Sequence, residues 1–162
     1  MKNHLVFTLL IWNASLFATN YYVSNNGNNA NTGLSPIAAF ATIQYPIDNL
    51  ILSAGDTLFV ADGNYFGFDN REISGVPAQP LVFKAMGHNV VITAPGGPRD
   101  DGINIEGVDY NVIDGFISSG MTGSGNGIRL VNADFCIVRN CTTLNNAERG
   151  IFTGFTNDII IE

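Results

Sequence analysis

The side chains best suited to chemistry are carboxylates in the C-terminal half of this 162-residue chain. Asp100 and Asp101 stand together before an apolar run. They offer the hard oxygens that Ca²⁺ takes from a carboxylate-bearing turn. Two acids fall far short of the roughly six to eight oxygens such an ion collects. The pair is therefore a candidate calcium site, and two solvated loop carboxylates is the plainer account. Asp109, Asp134 and Asn157 recur at one corner of a repeat described below. Stacked acids invite a cation, although Asp and Asn at corners more often bond the turn backbone.

Other polar groups carry weaker chemistry. Glu148 and Arg149 offer an acid beside a cation, but neighbours on a strand face opposite ways and do not converge. Lys84 is the only lysine after Lys2 and falls at a strand end, as a solvated edge charge would. His88 lies in the turn Met86-Gly87-His88-Asn89 with no partner at metal-ligand spacing. Gly123-Ser124-Gly125-Asn126-Gly127 lacks the Gly-Lys-Ser/Thr of a phosphate loop and reads as a connecting loop. No catalytic or substrate-binding residue is assigned on this basis. Cys136 and Cys141 fit two thiols of a stacked core better than a disulfide.

These residues are positioned by a repeat. Gly102-Ile103-Asn104-Ile105, Gly127-Ile128-Arg129-Leu130 and Gly150-Ile151-Phe152-Thr153 open three similar segments. A second apolar run follows each at a fixed offset: Asn111 to Phe116, Cys136 to Cys141, and Ile159 to Glu162. A period in the low twenties with short strands predicts a β-solenoid, in which equivalent residues form columns one strand spacing apart, about 4.8 Å. Ile103, Ile128 and Ile151 form one inward column; Ile105, Leu130 and Thr153 form another. Asn104, Arg129 and Phe152 then point outward. Ile113, Val138 and Ile161 point in, with Asp114, Arg139 and Glu162 stacked outside in alternating sign. Gly115 and Asn140 share a corner that needs a left-handed conformation.

The N-terminal half fits the same plan. Strands are expected at Tyr21–Ser24, Asp56–Val60, Pro80–Ala85 and Val90–Thr93. Pro46 to Leu52 predicts a short cap helix beginning at Pro46, with Ile47, Leu50 and Ile51 on one face to cover the end of the core. Residues 1–19 read as a secretory signal, 20–55 as a cap region and 56–162 as coils; about six coils would fit the exported length. The chain stops in mid-strand without a cap, which suggests continuation in a longer protein. The fold class is all-β: a right-handed parallel β-helix, or solenoid, with a short N-terminal cap helix.

Composition narrows the partners. Hydrophobic residues make up 46% and charged residues 13%, which excludes a disordered chain. Removing Lys2 with the signal leaves six Lys and Arg against fourteen Asp and Glu. So acidic a surface disfavours nucleic acid and anionic membranes, and no stretch after the signal is long enough to span a bilayer. It also disfavours acidic polysaccharides, unless a metal or a local basic groove intervenes. An exported monomer is expected.

Tyr21-Tyr22-Val23-Ser24, Gly27-Asn28, Asn31-Thr32-Gly33 and Thr42-Ile43-Gln44, then Gly55-Asp56-Thr57-Leu58-Phe59-Val60 and Asp62-Gly63-Asn64-Tyr65, resemble the N-terminal region of pectate-lyase-like right-handed β-helix proteins. The pattern is most similar to secreted bacterial members related to polysaccharide lyase family nine. Pro80 to Ala85 and Asn111 to Phe116 also resemble the chondroitinase B and alginate lyase group. The resemblance implies export, a polysaccharide partner, calcium as the cofactor, and β-elimination on a uronate polymer by a Lys or Arg base beside acidic calcium ligands. It implies that base in later coils, outside this stretch. A glycoside hydrolase on the same fold and a non-catalytic extracellular binding rod are the alternatives.

Overall fold

The computed structural model describes residues 18–162, so the signal segment falls almost wholly outside the described residues. Residue 18 opens a strand β1 (Asn20–Val23), a cap loop with one 3-10 turn, and a short helix α1 (Gln44–Asp48). The coils follow: β2 (Thr57–Val60), β3 (Gly63–Phe66) and β4 (Phe68–Asn70); β5 (Leu81–Ala85), β6 (Val90–Ala94) and β7 (Ile103–Glu106); β8 (Asn111–Asp114), β9 (Ile117–Ser119) and β10 (Ile128–Val131); β11 (Ile137–Arg139), β12 (Thr142–Leu144) and β13 (Ile151–Gly154); then β14 (Ile160–Ile161). Every third strand joins the same sheet. Sheet A runs β1-β2-β5-β8-β11-β14, sheet B runs β3-β6-β9-β12, and sheet C runs β4-β7-β10-β13. All strand pairs are parallel. The molecule is a parallel β-helix of about four turns, not six. The shortfall has two causes. Residues before Thr57 supply one strand and a cap rather than coils, and long connections between β4, β5, β6 and β7 lengthen the early turns.

The expected columns form. Ile128 pairs with Ile103 on one side and Ile151 on the other, and Leu130 lies between Ile105 and Thr153. Val138 lies between Ile113 and Ile161. Ile103, Ile105, Ile113, Ile128 and Leu130 are wholly buried. Across the interior Phe68 of sheet C stacks on Phe83 of sheet A at 4.6 Å, with Phe116 tilted against it at 6.0 Å. Gly115 and Asn140 adopt φ of 85° and 53° at the corner between sheets A and B. One such residue bends the chain sharply enough to start the next strand without a loop.

The cap differs from expectation. The helix spans Gln44–Asp48 and has Pro46 inside its first turn, where a missing N–H is still harmless. Ile47 is buried and Ile51 partly so, but Leu50 lies past the helix with φ of 49° and is exposed. Leu52 takes its place in the core.

Both cysteines are free thiols. Burial pushes the Cys136 thiol up to about 11 and raises Cys141 as well. A thiolate is the reactive form. Native protein at pH 8 should therefore label slowly with a thiol reagent, and both cysteines should label fast in denaturant; fast native labelling of Cys136 would contradict its place in the core.

Candidate functional site

The outer face of sheet C carries the densest polar cluster. Strand alternation turns one residue per rung outward, and the register stacks Asp69, Asn104, Arg129 and Phe152 on successive strands. The expected outward column exists, yet Asn104 and Arg129 are buried. Neighbouring side chains cover them. Asp69 Oδ1 accepts from Asn104 Nδ2 at 2.8 Å and from Arg71 Nε at 2.9 Å. Asn104 Oδ1 accepts from Arg129 Nη1 at 2.7 Å, which also donates to Glu106 Oε2 at 2.8 Å. Arg71 Nη2 reaches the same Glu106 oxygen at 3.2 Å. Arg149 lies over the Phe152 ring, 5.1 Å from its centre, a cation–π distance.

The cap seals one edge of this sheet. β4 is an edge strand, and its free backbone would be a template for foreign pairing. Gln44 of α1 occupies that edge: its Oε1 accepts from Asp69 N at 2.7 Å and its Nε2 donates to Asp69 O at 3.1 Å. Beside it a cleft of about 350 Å³ opens between Asp48, Arg71, Glu72 and the Gly96–Pro98 loop.

Asp101 is the deepest acid here, and its surroundings are donors. Its Oδ1 accepts from Asn126 N at 2.8 Å and Nδ2 at 2.7 Å; its Oδ2 accepts from Arg99 Nε at 2.8 Å, with Arg129 Nε at 3.9 Å. A carboxylate ringed by N–H groups and guanidinium does not fit Ca²⁺, which takes oxygens. Asp100 points elsewhere and accepts from Ser124 N and Oγ at 3.1 and 3.2 Å. Among the described residues no group of three or more His, Cys, Asp and Glu converges as metal ligands would. No step is therefore routed through calcium at this pair.

The remaining candidates fall as follows. Asp109, Asp134 and Asn157 do stack, and each carboxylate caps the next rung: Asp134 N donates to Asp109 at 2.8 Å and Asn157 N to Asp134 at 2.7 Å. The corner acids thus bond backbone. Glu148 and Arg149 lie in the loop before β13 rather than on the strand, and they do meet, at 3.2 Å. Lys84 lies on β5, in the interior of sheet A, with Asp114 at 3.8 Å. His88 is exposed in its turn.

Burial raises the Asp101 carboxyl, but the Asn126 and Arg99 donors outweigh it and leave it below the ordinary range. Glu106 is held low in the same way, by Arg129 and Asn104 against burial, and Asp114 by Asn140 and Arg139 against burial. A folded-state pKa below the unfolded value means that the unfolded chain binds more protons as acid is added. This stability is fully present above roughly pH 4–5 and is lost as pH falls from the ordinary carboxylate range through the lower folded-state values. Asp101→Asn should flatten the acid limb of a stability–pH profile; an unchanged limb would refute its assigned pairing.

With the geometry in hand, comparison decides the fold. A rhamnogalacturonan lyase superposes with a TM-score of 0.55 at 16% identity, over 76% of this chain and 36% of its own. Pectate lyase Pel9A superposes with a TM-score of 0.53 at 18% identity, over 83% of this chain and 42% of its own. The chain thus shares the parallel β-helix fold of these two structures. A GH136 lacto-N-biosidase from Eubacterium ramulus shares the β-helix with a TM-score of 0.61 at 14% identity, over 86% of this chain and 31% of its own. The chain thus spans 31–42% of the length of these structures. No protein-family model matches the chain, and no curated protein matches it. The described residues contain no helix long and apolar enough to cross a membrane.

Proposed function

We propose that this is an exported, monomeric, carbohydrate-active β-helix protein that engages acidic polysaccharide on the outer face of sheet C, with β-elimination as its reaction class. The observation that carries this is the placement of arginines. Four of the chain's five arginines, Arg71, Arg99, Arg129 and Arg149, gather at that face of an otherwise acidic protein. Their charges are layered. The side chains of Arg71 and Arg99 are 39% and 41% exposed, whereas those of their partners Asp69 and Asp101 are 6% and 1% exposed; Arg149 and its partner Glu148 both lie at the surface. The four guanidiniums are matched by Asp69, Asp101, Glu106 and Glu148, so the face is locally balanced in an acidic protein, and at Arg71 and Arg99 a passing polymer meets guanidinium before carboxylate.

The chemistry follows from the group. Each of these four guanidiniums is held by a carboxylate and stays protonated, so none of them serves as the base. The planar guanidinium fork binds carboxylate through two N–H groups and neutralises it. Neutralising a uronate carboxylate acidifies its α-proton, the first requirement of β-elimination. The proposal assigns these arginines to binding and charge neutralisation, and assigns the proton-removing base to none of the described residues. Two of the named structural neighbours are lyases by name, which supports the reaction class.

A hydrolase is the second reading, because a lacto-N-biosidase shares the fold. It needs a carboxyl held protonated near neutral pH to act as the acid. Asp101 and Glu106 are instead held below the ordinary carboxyl range, so neither suits that acid role. The test is incubation with pectate, alginate and chondroitin, with and without Ca²⁺. Ultraviolet-absorbing unsaturated ends support the lyase. New reducing ends without unsaturation support the hydrolase, and binding without cleavage supports the rod. Failure to bind any uronate polymer overturns the proposal.

A further inference from the structure

A second polar cleft lies away from sheet C, at the corner between sheets A and B. Its origin is a mismatch between turns. In two successive coils the corner is one left-handed residue, Gly115 and then Asn140. In the preceding coil β5 and β6 are joined by the turn Met86-Gly87-His88-Asn89, which stands proud of the corner. The step encloses a cleft of about 510 Å³. Lys84, Asp114 and Ile117 line it together with His88, Asn140 and Thr142.

The charges are arranged unequally. Asp114 has a donor on each oxygen: Asn140 Nδ2 donates to its Oδ1 at 2.9 Å and Arg139 Nη2 to its Oδ2 at 3.1 Å. Asp62 lies under the Gly87 turn, and its Oδ1 accepts from Asn89 N at 3.0 Å. Lys84 has Asp114 at 3.8 Å, beyond hydrogen-bond length. Each of the five arginines has a carboxylate within 3.2 Å. Lys84 is therefore the one cation of the described residues whose nearest carboxylate lies beyond bonding reach, and its side chain is 46% exposed in the cleft. The surroundings suit one sugar ring: amide, hydroxyl and imidazole for hydroxyl groups, and Ala85, Met86 and Ile117 for the apolar C–H face.

The geometry points to this corner as a secondary saccharide site for a pyranose unit bearing an oxyanion, with Lys84 taking the anion. Uronate and sulfate-ester sugars share that chemistry. The inference rests on the proposed use of acidic polysaccharide, but it names a different face and different residues.

The test uses the chain and its Lys84→Gln and Lys84→Arg variants, titrated calorimetrically with a galacturonate oligomer, a chondroitin sulfate oligomer and an uncharged galactose oligomer. Amide exchange is followed with and without each. An anionic oligomer should protect amides at 86–89 and 140–142. Lys84→Gln should weaken that corner's binding about tenfold at low salt, and Lys84→Arg should retain it. Whichever anionic oligomer protects the corner identifies the source of the oxyanion. Protection confined to sheet C, with Lys84→Gln binding as wild type, overturns the corner site and leaves the main face standing. Corner protection without sheet C protection does the reverse. Equal corner binding of the uncharged oligomer refutes the anion, and no binding by any oligomer overturns both sites.

Discussion

Phe83→Ala should lower the unfolding free energy by about 4 kcal/mol, the range for removing a buried ring from a close-packed interior. Phe83 is fully buried and links sheets A and C through Phe68, which in turn meets Phe116. Strands locked in a continuous ladder cannot move in to fill the space, so the cavity persists. Phe83→Leu should cost less than half as much because most of the volume stays. Urea unfolding followed by far-ultraviolet circular dichroism measures both. A cost for Phe83→Ala below about 1.5 kcal/mol would mean that the interior stack is wrong.

Arg129→Met should cost about 3 kcal/mol, although it replaces a charge with an apolar side chain of similar length. Arg129 is only 10% exposed at its side chain, and its donors reach Asn104 and Glu106 on the adjacent strand. Deleting it leaves Asn104 Oδ1 without a donor and Glu106 with a weaker counter-charge. Losing one member of a covered polar network costs more than the network is worth as a whole. Arg129→Lys should recover only part of the loss: one ammonium can serve both acceptors of Nη1, but it lacks the Nε that faces Asp101 at 3.9 Å. Equal stability of wild type and Arg129→Met would show that this arginine is solvated rather than seated.

The contrast between those two sites explains what the sequence could reveal. The interior is legible because Gly-Ile openings recur with Ile at 103, 128 and 151, so the columns can be counted from the sequence itself. The corner at Gly115 and Asn140 was legible because both residue types accept the left-handed region. The arginine face was not. Its first rung is Asp69, which stacks on Asn104 across 35 residues, while Arg129 stacks on Asn104 across 25. A search for one period misses β4, and with it the acid that anchors the cluster. Arg71 and Arg99 lie in irregular connections whose direction no periodicity fixes. The usable signal was the outward column of Asn104 and Arg129: a long cation stacked over an amide announces a paired, covered face. The cap helix was displaced for a related reason. Proline was placed at the first helical position, but the chain turns one residue pair earlier so that Gln44 can seal the edge of β4.

The central claim is that surface guanidinium on sheet C captures acidic polymer, and a binding comparison tests it most directly. Arg71 and Arg99 are partly exposed but pair with the buried Asp69 and Asp101, so the paired change Arg71→Gln with Arg99→Gln, which keeps an amide donor beside each carboxylate, should lower stability without unfolding the ladder, as circular dichroism would check. Affinity for a galacturonate oligomer should fall at least about tenfold at low ionic strength, and the gap should narrow as salt rises. Equal affinity of the two proteins at low salt would contradict the account.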